Sequence, residues 1–86
     1  MQEVTLFVKG FPLVFDTARA VAQLLASRDN PETMLVAWHD REQGTHSPSC
    51  VRCEIGDVPG WEVYGRNHSG RLRIAFNGDV MVFIHT

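Results

Sequence analysis

Hydrophobic and polar positions alternate at the start of the chain. Val4, Leu6 and Val8 are interleaved with Thr5, Phe7 and Lys9, the period of a strand with one face buried. Gly10 and Pro12 end that pattern. Asp16 then reads as a helix N-cap, its carboxylate accepting from the free N–H groups of the first turn. Behind it Ala18, Val21, Ala22 and Leu25 fall at i, i+3, i+4 and i+7, one apolar stripe with Arg19, Gln23 and Arg28 off it. The helix is expected to run about 13 residues and to stop at Asp29-Asn30-Pro31, because proline cannot continue it.

Residues 33–39 form the next expected strand. Met34, Val36 and Trp38 on one parity and Leu35 and Ala37 on the other are all apolar, which suits a central strand covered on both faces. Residues 40–59 are polar and broken by Gly44, Pro48, Gly56 and Pro59. A stretch of this length either hides a short hairpin or forms a functional loop, and the loop is the preferred reading. Further on, Trp61, Val63 and Gly65 share one parity, Leu72, Ile74 and Phe76 the next, and Val80, Val82 and Ile84 the last. A turn at Asn67-His68-Ser69-Gly70 pairs Arg66 with Arg71, Val63 with Ile74 and Trp61 with Phe76. A two-residue turn at Asn77-Gly78 would put Met81 and Phe83 beside Leu72 and Ile74. Keeping Val80, Val82 and Ile84 on the inner face instead demands an odd loop, hence three residues with a left-handed Gly78. The expected architecture is a single α+β domain, residues 1–86, with one helix packed on a mostly antiparallel sheet in the order β-α-β-β-β-β.

Composition narrows the class. In 86 residues, 44% are hydrophobic and 21% charged, with a formal charge of −2, the proportions of an ordinary globular domain. No apolar run approaches the roughly 18 residues of a membrane span. The first residues read as a strand rather than a signal peptide, since no basic region precedes an apolar one. The small net negative charge argues against nucleic acid as a partner. Two cysteines cannot build a disulfide framework, and a cytoplasmic location is expected.

Four strings, Trp38-His39-Asp40-Arg41, His46-Ser47-Pro48, Pro59-Gly60-Trp61 and Val82-Phe83-Ile84-His85, resemble a small prokaryotic family of about ninety residues labelled a domain of unknown function. The resemblance spans essentially the whole chain. It implies a compact α+β domain of archaea and anaerobic bacteria with no established activity, and it carries over no catalytic residue.

Candidate chemistry gathers at two places. His46, Cys50 and Cys53, with His39 at a strand end, would supply the four N and S ligands of a tetrahedral zinc. Against this, a single Cys-x-x-Cys without a second pair also fits two plain thiols in a polar loop. Thiol redox chemistry is disfavoured, because Glu54, Gly56, Asp57 and Pro59 follow the pair where a thiolate-stabilising helix should start. His39, Asp40, Glu42 and His46 hold acid–base groups, but their spacing reads more simply as a turn. The second place is the outer sheet face, where the expected register gathers Tyr64, Arg66, Arg71, Arg73, Met81, Phe83 and His85. Opposed arginines there call for an acidic group from this chain, a partner or an anionic ligand. The function expected is a non-enzymatic interaction module that self-associates into a homo-oligomer through the outer face or edge of its sheet. The alternative is a small zinc-binding or enzymatic protein using the 40–59 loop.

Overall fold

The strand Met81–His85 is buried at all five of its positions, so the sheet that contains it must be covered on both sides. The computed structural model describes residues 1–49 and 58–86. Within them the chain runs β1 (Gln2–Leu6), α1 (Phe15–Asp29), β2 (Leu35–Asp40), β3 (Thr45–Ser47), α2 (Gly60–Asn67), β4 (Leu72–Phe76) and β5 (Met81–His85). The strands form one sheet in the order β1-β4-β5-β2-β3. Only the β1–β4 pairing is parallel; β4–β5, β5–β2 and β2–β3 are antiparallel. This is an α+β fold on a mostly antiparallel sheet, and its five strands and α1 follow one another as β-α-β-β-β-β. The second helix, α2, stands between β3 and β4.

Each face of β4 and β5 meets one helix. Leu72, Ile74 and Phe76 of β4, with Met81 and Phe83 of β5, pack under Ala18, Ala22 and Ala26 of α1. Ala75, Val82 and Ile84 turn the other way and pack with Ala37 and Trp61 under α2. Both helices approach through small residues. The alanine ladder brings α1 down onto the sheet, and Gly65 lets α2 close on β5: a Cβ there would stand 2.8 Å from Ile84 Cδ1. The α1 core stripe therefore differs from the expected one. Val21 and Leu25 stand exposed on its flank, the helix starts after Val14 instead of an Asp16 cap, and Asp16 lies in the first turn.

Four further expectations are corrected. Trp61, Val63 and Gly65 alternate like a strand, yet they lie in α2, because Trp61 and Gly65 are also one helical turn apart and both face β5. The missing strand comes from the polar stretch, where Thr45–Ser47 folds back on β2 as a short hairpin. The β4–β5 turn has four residues, since Phe76 pairs with Met81. Gly78 is left-handed (φ 67°) as expected, between Asn77 (φ 50°) and Asp79 (φ 67°). An even loop puts Ile74 opposite Phe83 and Arg73 opposite Ile84. The odd-loop argument assumed one solvated face, and this sheet has none over β4 and β5. With β4 and β2 on either side, β5 is also interior and offers no edge for pairing.

Asn77 fastens the edge strand. Its backbone N–H donates to the Leu6 carbonyl at 2.9 Å, and its Oδ1 accepts from Val8 N–H at 2.8 Å.

Val82 is 1% exposed in the α2-side core. Val82→Asp places an unpaired carboxylate there, at a cost of several kcal/mol in a domain of this size. The variant is expected to lack a cooperative unfolding transition by circular dichroism, with Val82→Ala as the milder control.

Candidate functional site

The residues expected to share one outer face do not share one. Met81, Phe83 and His85 are buried in β5 on the α1 side. Tyr64 and Arg66 lie on α2, and Arg71 and Arg73 at or in β4, so Arg66 and Arg71 do not oppose each other across a strand pair. The acidic groups that the arginines require come from this chain. Arg71 pairs with Asp29 at 2.6 Å. Arg66 reaches Glu62 at 3.0 Å one turn back along α2.

Arg73 is the most enclosed of the three, with a side chain only 13% exposed. It meets Glu62 at 3.1 Å, Asp79 at 3.3 Å and Glu3 at 3.7 Å. Burial opposes its charge, but hydrogen bonds and attraction from Asp79 and Glu62 outweigh that and raise its pKa above the ordinary value. A cavity of about 410 Å³ opens beside it, lined by Met1, Glu3, Arg66, Gly70 and Arg73. With Arg73 already saturated by carboxylates, this arrangement locks α2 to β4 and leaves an incoming anion little to bind.

On the same face, at the β2–β3 hairpin, His39 and His46 are directly paired across the strands, with ring centres 6.4 Å apart. The His39 ring stacks on Trp61 at 5.1 Å. Burial, then the charge of His46, lowers its pKa. Asp40 is buried and turned into its own turn, its Oδ1 accepting from the N–H groups of Glu42 and Gln43 at 3.1 and 3.3 Å. Asp40 is thereby occupied and does not serve His39 as an acid–base partner. The expected zinc set is thus half visible: His39 and His46 come together, while Cys50 and Cys53 lie outside the described residues. No group of three metal-ligating side chains forms among the described residues.

His85 is an internal group. Thr33 Oγ1 gives its one proton to the Thr86 carbonyl at 2.9 Å, so it accepts from His85 Nδ1 at 3.2 Å. That fixes Nε2 as an unprotonated acceptor, and it is buried without a partner among the described residues. Such an orphan costs about 1–3 kcal/mol. Burial, then the charge of Arg19, holds the His85 pKa below its usual value.

The exterior of α1 was missed by pattern reading. The ring of Phe15 of α1 lies 4.7 Å from that of Trp38 of β2 and 5.5 Å from that of Phe83 of β5, so that flank of the helix faces β5 and β2. At 100° per residue, Val14, Val21 and Leu25 lie on the opposite flank, toward β1, with Leu24 outermost. Leu24 is 62% exposed, and Phe7 and Phe11 in and before the lead-in to the helix are 70% and 66% exposed. The signal was present: three alanines four apart mark the side of closest approach, which leaves the bulky residues outside.

The chain belongs to the family described as "Domain of unknown function (DUF5619)", which it matches over residues 1–85. Among solved structures it is similar to the novel protein AF1514 of Archaeoglobus fulgidus DSM 4304, at 23% identity and a TM-score of 0.81, covering 100% of this chain and 93% of that one. That likeness shows a shared fold. No curated protein matches. No helix among the described residues is long and apolar enough to cross a membrane.

The buried histidine gives a pH signature. The folded pKa of His85 lies below the ordinary 6.5, so the unfolded chain binds the extra proton first and stability rises with pH in that range. The contribution is complete above about pH 6.5 and is lost as pH falls through the lowered folded value. His39 shifts in the same direction. Urea denaturation between about pH 7 and 5 should show a declining stability, and His85→Leu should flatten the decline by up to about 1.4 kcal/mol per pH unit. An unchanged slope in His85→Leu would remove His85 from this role.

Proposed function

We propose that this protein is a non-enzymatic interaction module that binds a second copy of itself through the exterior of α1. One observation carries the reading: among the described residues the exposed large hydrophobic side chains all fall within the first 34, and Val14, Val21, Leu24 and Leu25 lie on α1 or at its cap. Monomeric domains scatter such residues singly. Along its outward side α1 presents Thr17, Ala20, Val21 and Leu24 before it reaches a charge at Arg28.

The areas are commensurate with a dimer. Phe11, Val14, Val21, Leu24 and Leu25 together expose on the order of 400 Å² of apolar surface, the size of the largest patch on a typical monomer, which is often functional. A standard interface buries about 800 Å² per partner, roughly 65% of it apolar in homodimers, so this patch would supply most of the apolar part. In a two-fold contact each copy supplies the same patch, so a self-complementary apolar helix needs no second surface. The faces of β4 and β5 take no part, since α1 and α2 already cover them.

Sedimentation equilibrium of untagged protein should give a dimer at micromolar to tens-of-micromolar concentration. Val21→Glu with Leu24→Glu should weaken it by more than about 100-fold. The melting temperature of the monomer should move only a few degrees, because both side chains are exposed. A wild-type monomer at about 0.5 mM would rule the proposal out.

A further inference from the structure

The β2–β3 hairpin carries an inference independent of α1. His39 and His46 face each other across antiparallel strands, where the β-carbons of a directly opposed pair stand about 5 Å apart on one face of the sheet. The Nδ1 of His46 lies 3.0 Å from the Pro48 carbonyl oxygen. A carbonyl only accepts, so Nδ1 bears a proton, and in the neutral ring Nε2 presents a lone pair. This is how a metal-binding imidazole is usually held: the second nitrogen donates to a carbonyl that orients the ring. His39 is braced from its other side by the stacked Trp61 ring, at an interplanar angle of 19°. Both histidines are half-buried at the sheet rim and therefore reachable from solvent.

We infer that His39 and His46 chelate one divalent transition-metal ion through their imidazoles. The class is set by the ligands: imidazole suits Zn²⁺, Ni²⁺ and Cu²⁺, whereas Mg²⁺ and Ca²⁺ take oxygen. Two imidazoles on a tetrahedral ion hold their ring centres about 5 Å apart, and from the observed 6.4 Å ligation would require a small rotation of one or both rings. Asp40, the nearest carboxylate in sequence, is committed to the Glu42 and Gln43 N–H groups, so among the described residues the two histidines are the anchor. Bound metal would tie the three-residue β3 to β2 as a clasp.

The test is titration of untagged protein with Zn²⁺ and Ni²⁺ at pH 7, followed by calorimetry and by ¹⁵N shifts of the histidine side chains. One equivalent should bind with a dissociation constant at or below the micromolar range, moving the ring nitrogens of both His39 and His46. His39→Gln and His46→Gln should each weaken it at least about 10-fold, and acidification below about pH 6 should release it. Cys50→Ser with Cys53→Ser separates two supporting outcomes: retained binding makes the histidine pair sufficient, and binding lost there as well as in the histidine variants makes the ligation shared. No binding up to about 1 mM metal, or equal affinity in wild type and both histidine variants, overturns the inference. If a variant fails to fold, the wild-type ring shifts decide: absent movement of either histidine on metal addition also overturns it.

Discussion

The fold depends on β5 being covered on both sides. A strand whose five residues are all buried needs two apolar layers, and a chain of 86 residues has few residues to build them with. It does so with two helices that contribute little bulk at their contacts: Ala18, Ala22 and Ala26 from α1, and Trp61 beside Gly65 from α2. Close approach through small residues keeps the helices near the sheet, where the large side chains of β4 and β5 fill the space. The same choice has an external consequence. With alanines spent on the inner side of α1, its valines and leucines are left on the flank and the exterior.

The second layer also explains the fate of the arginines. Covering Arg73 with α2 takes a guanidinium most of the way out of water, which is tolerable only when carboxylates go with it. Glu62 arrives on α2 itself and Asp79 from the β4–β5 turn. The turn thus has two roles, since its even length sets which residues face α2 and its left-handed Asp79 neutralises the charge among them. Internal carboxylates thus satisfy Arg66, Arg71 and Arg73. The exposed apolar residues of α1 lie on the other side of the sheet.

Much of this was legible in the residues. The alternation at Val4–Val8, the stop at Asn30-Pro31 and the two-sided apolarity of Leu35–Trp38 each correspond to an observed element, because each is a local signal reinforced by packing. The α2 segment was not legible. In five residues, Trp61 to Gly65, periods of 2 and 3.6 both place Trp61 and Gly65 on one side, and tertiary contact with Ile84 decides. The β4–β5 parity failed for a related reason: without α2, Met81 and Phe83 had to face water or displace Val82 and Ile84. Of the candidate sites, the His39–His46 pairing follows from a hairpin that polar composition concealed. The α1 exterior follows from which helical stripe is inner, and there the tidier i, i+3, i+4, i+7 pattern competed with a ladder of alanines.

Edges and faces of the sheet compete as places for a second chain to attach, and their chemistry separates them. At one margin β3 is only three residues long, too short to template much pairing. At the other, β1 carries Glu3, which any two-fold pairing centred on it would set against its own copy, and which already serves Arg73. Short strands and edge charges are the means by which sheets avoid edge-to-edge association. The exterior of α1 has no such guard between Arg19 and Arg28 on its outward side. The hairpin histidines pack with α2 on the opposite face, so an ion held there and a copy bound on α1 would occupy separate sides of one sheet.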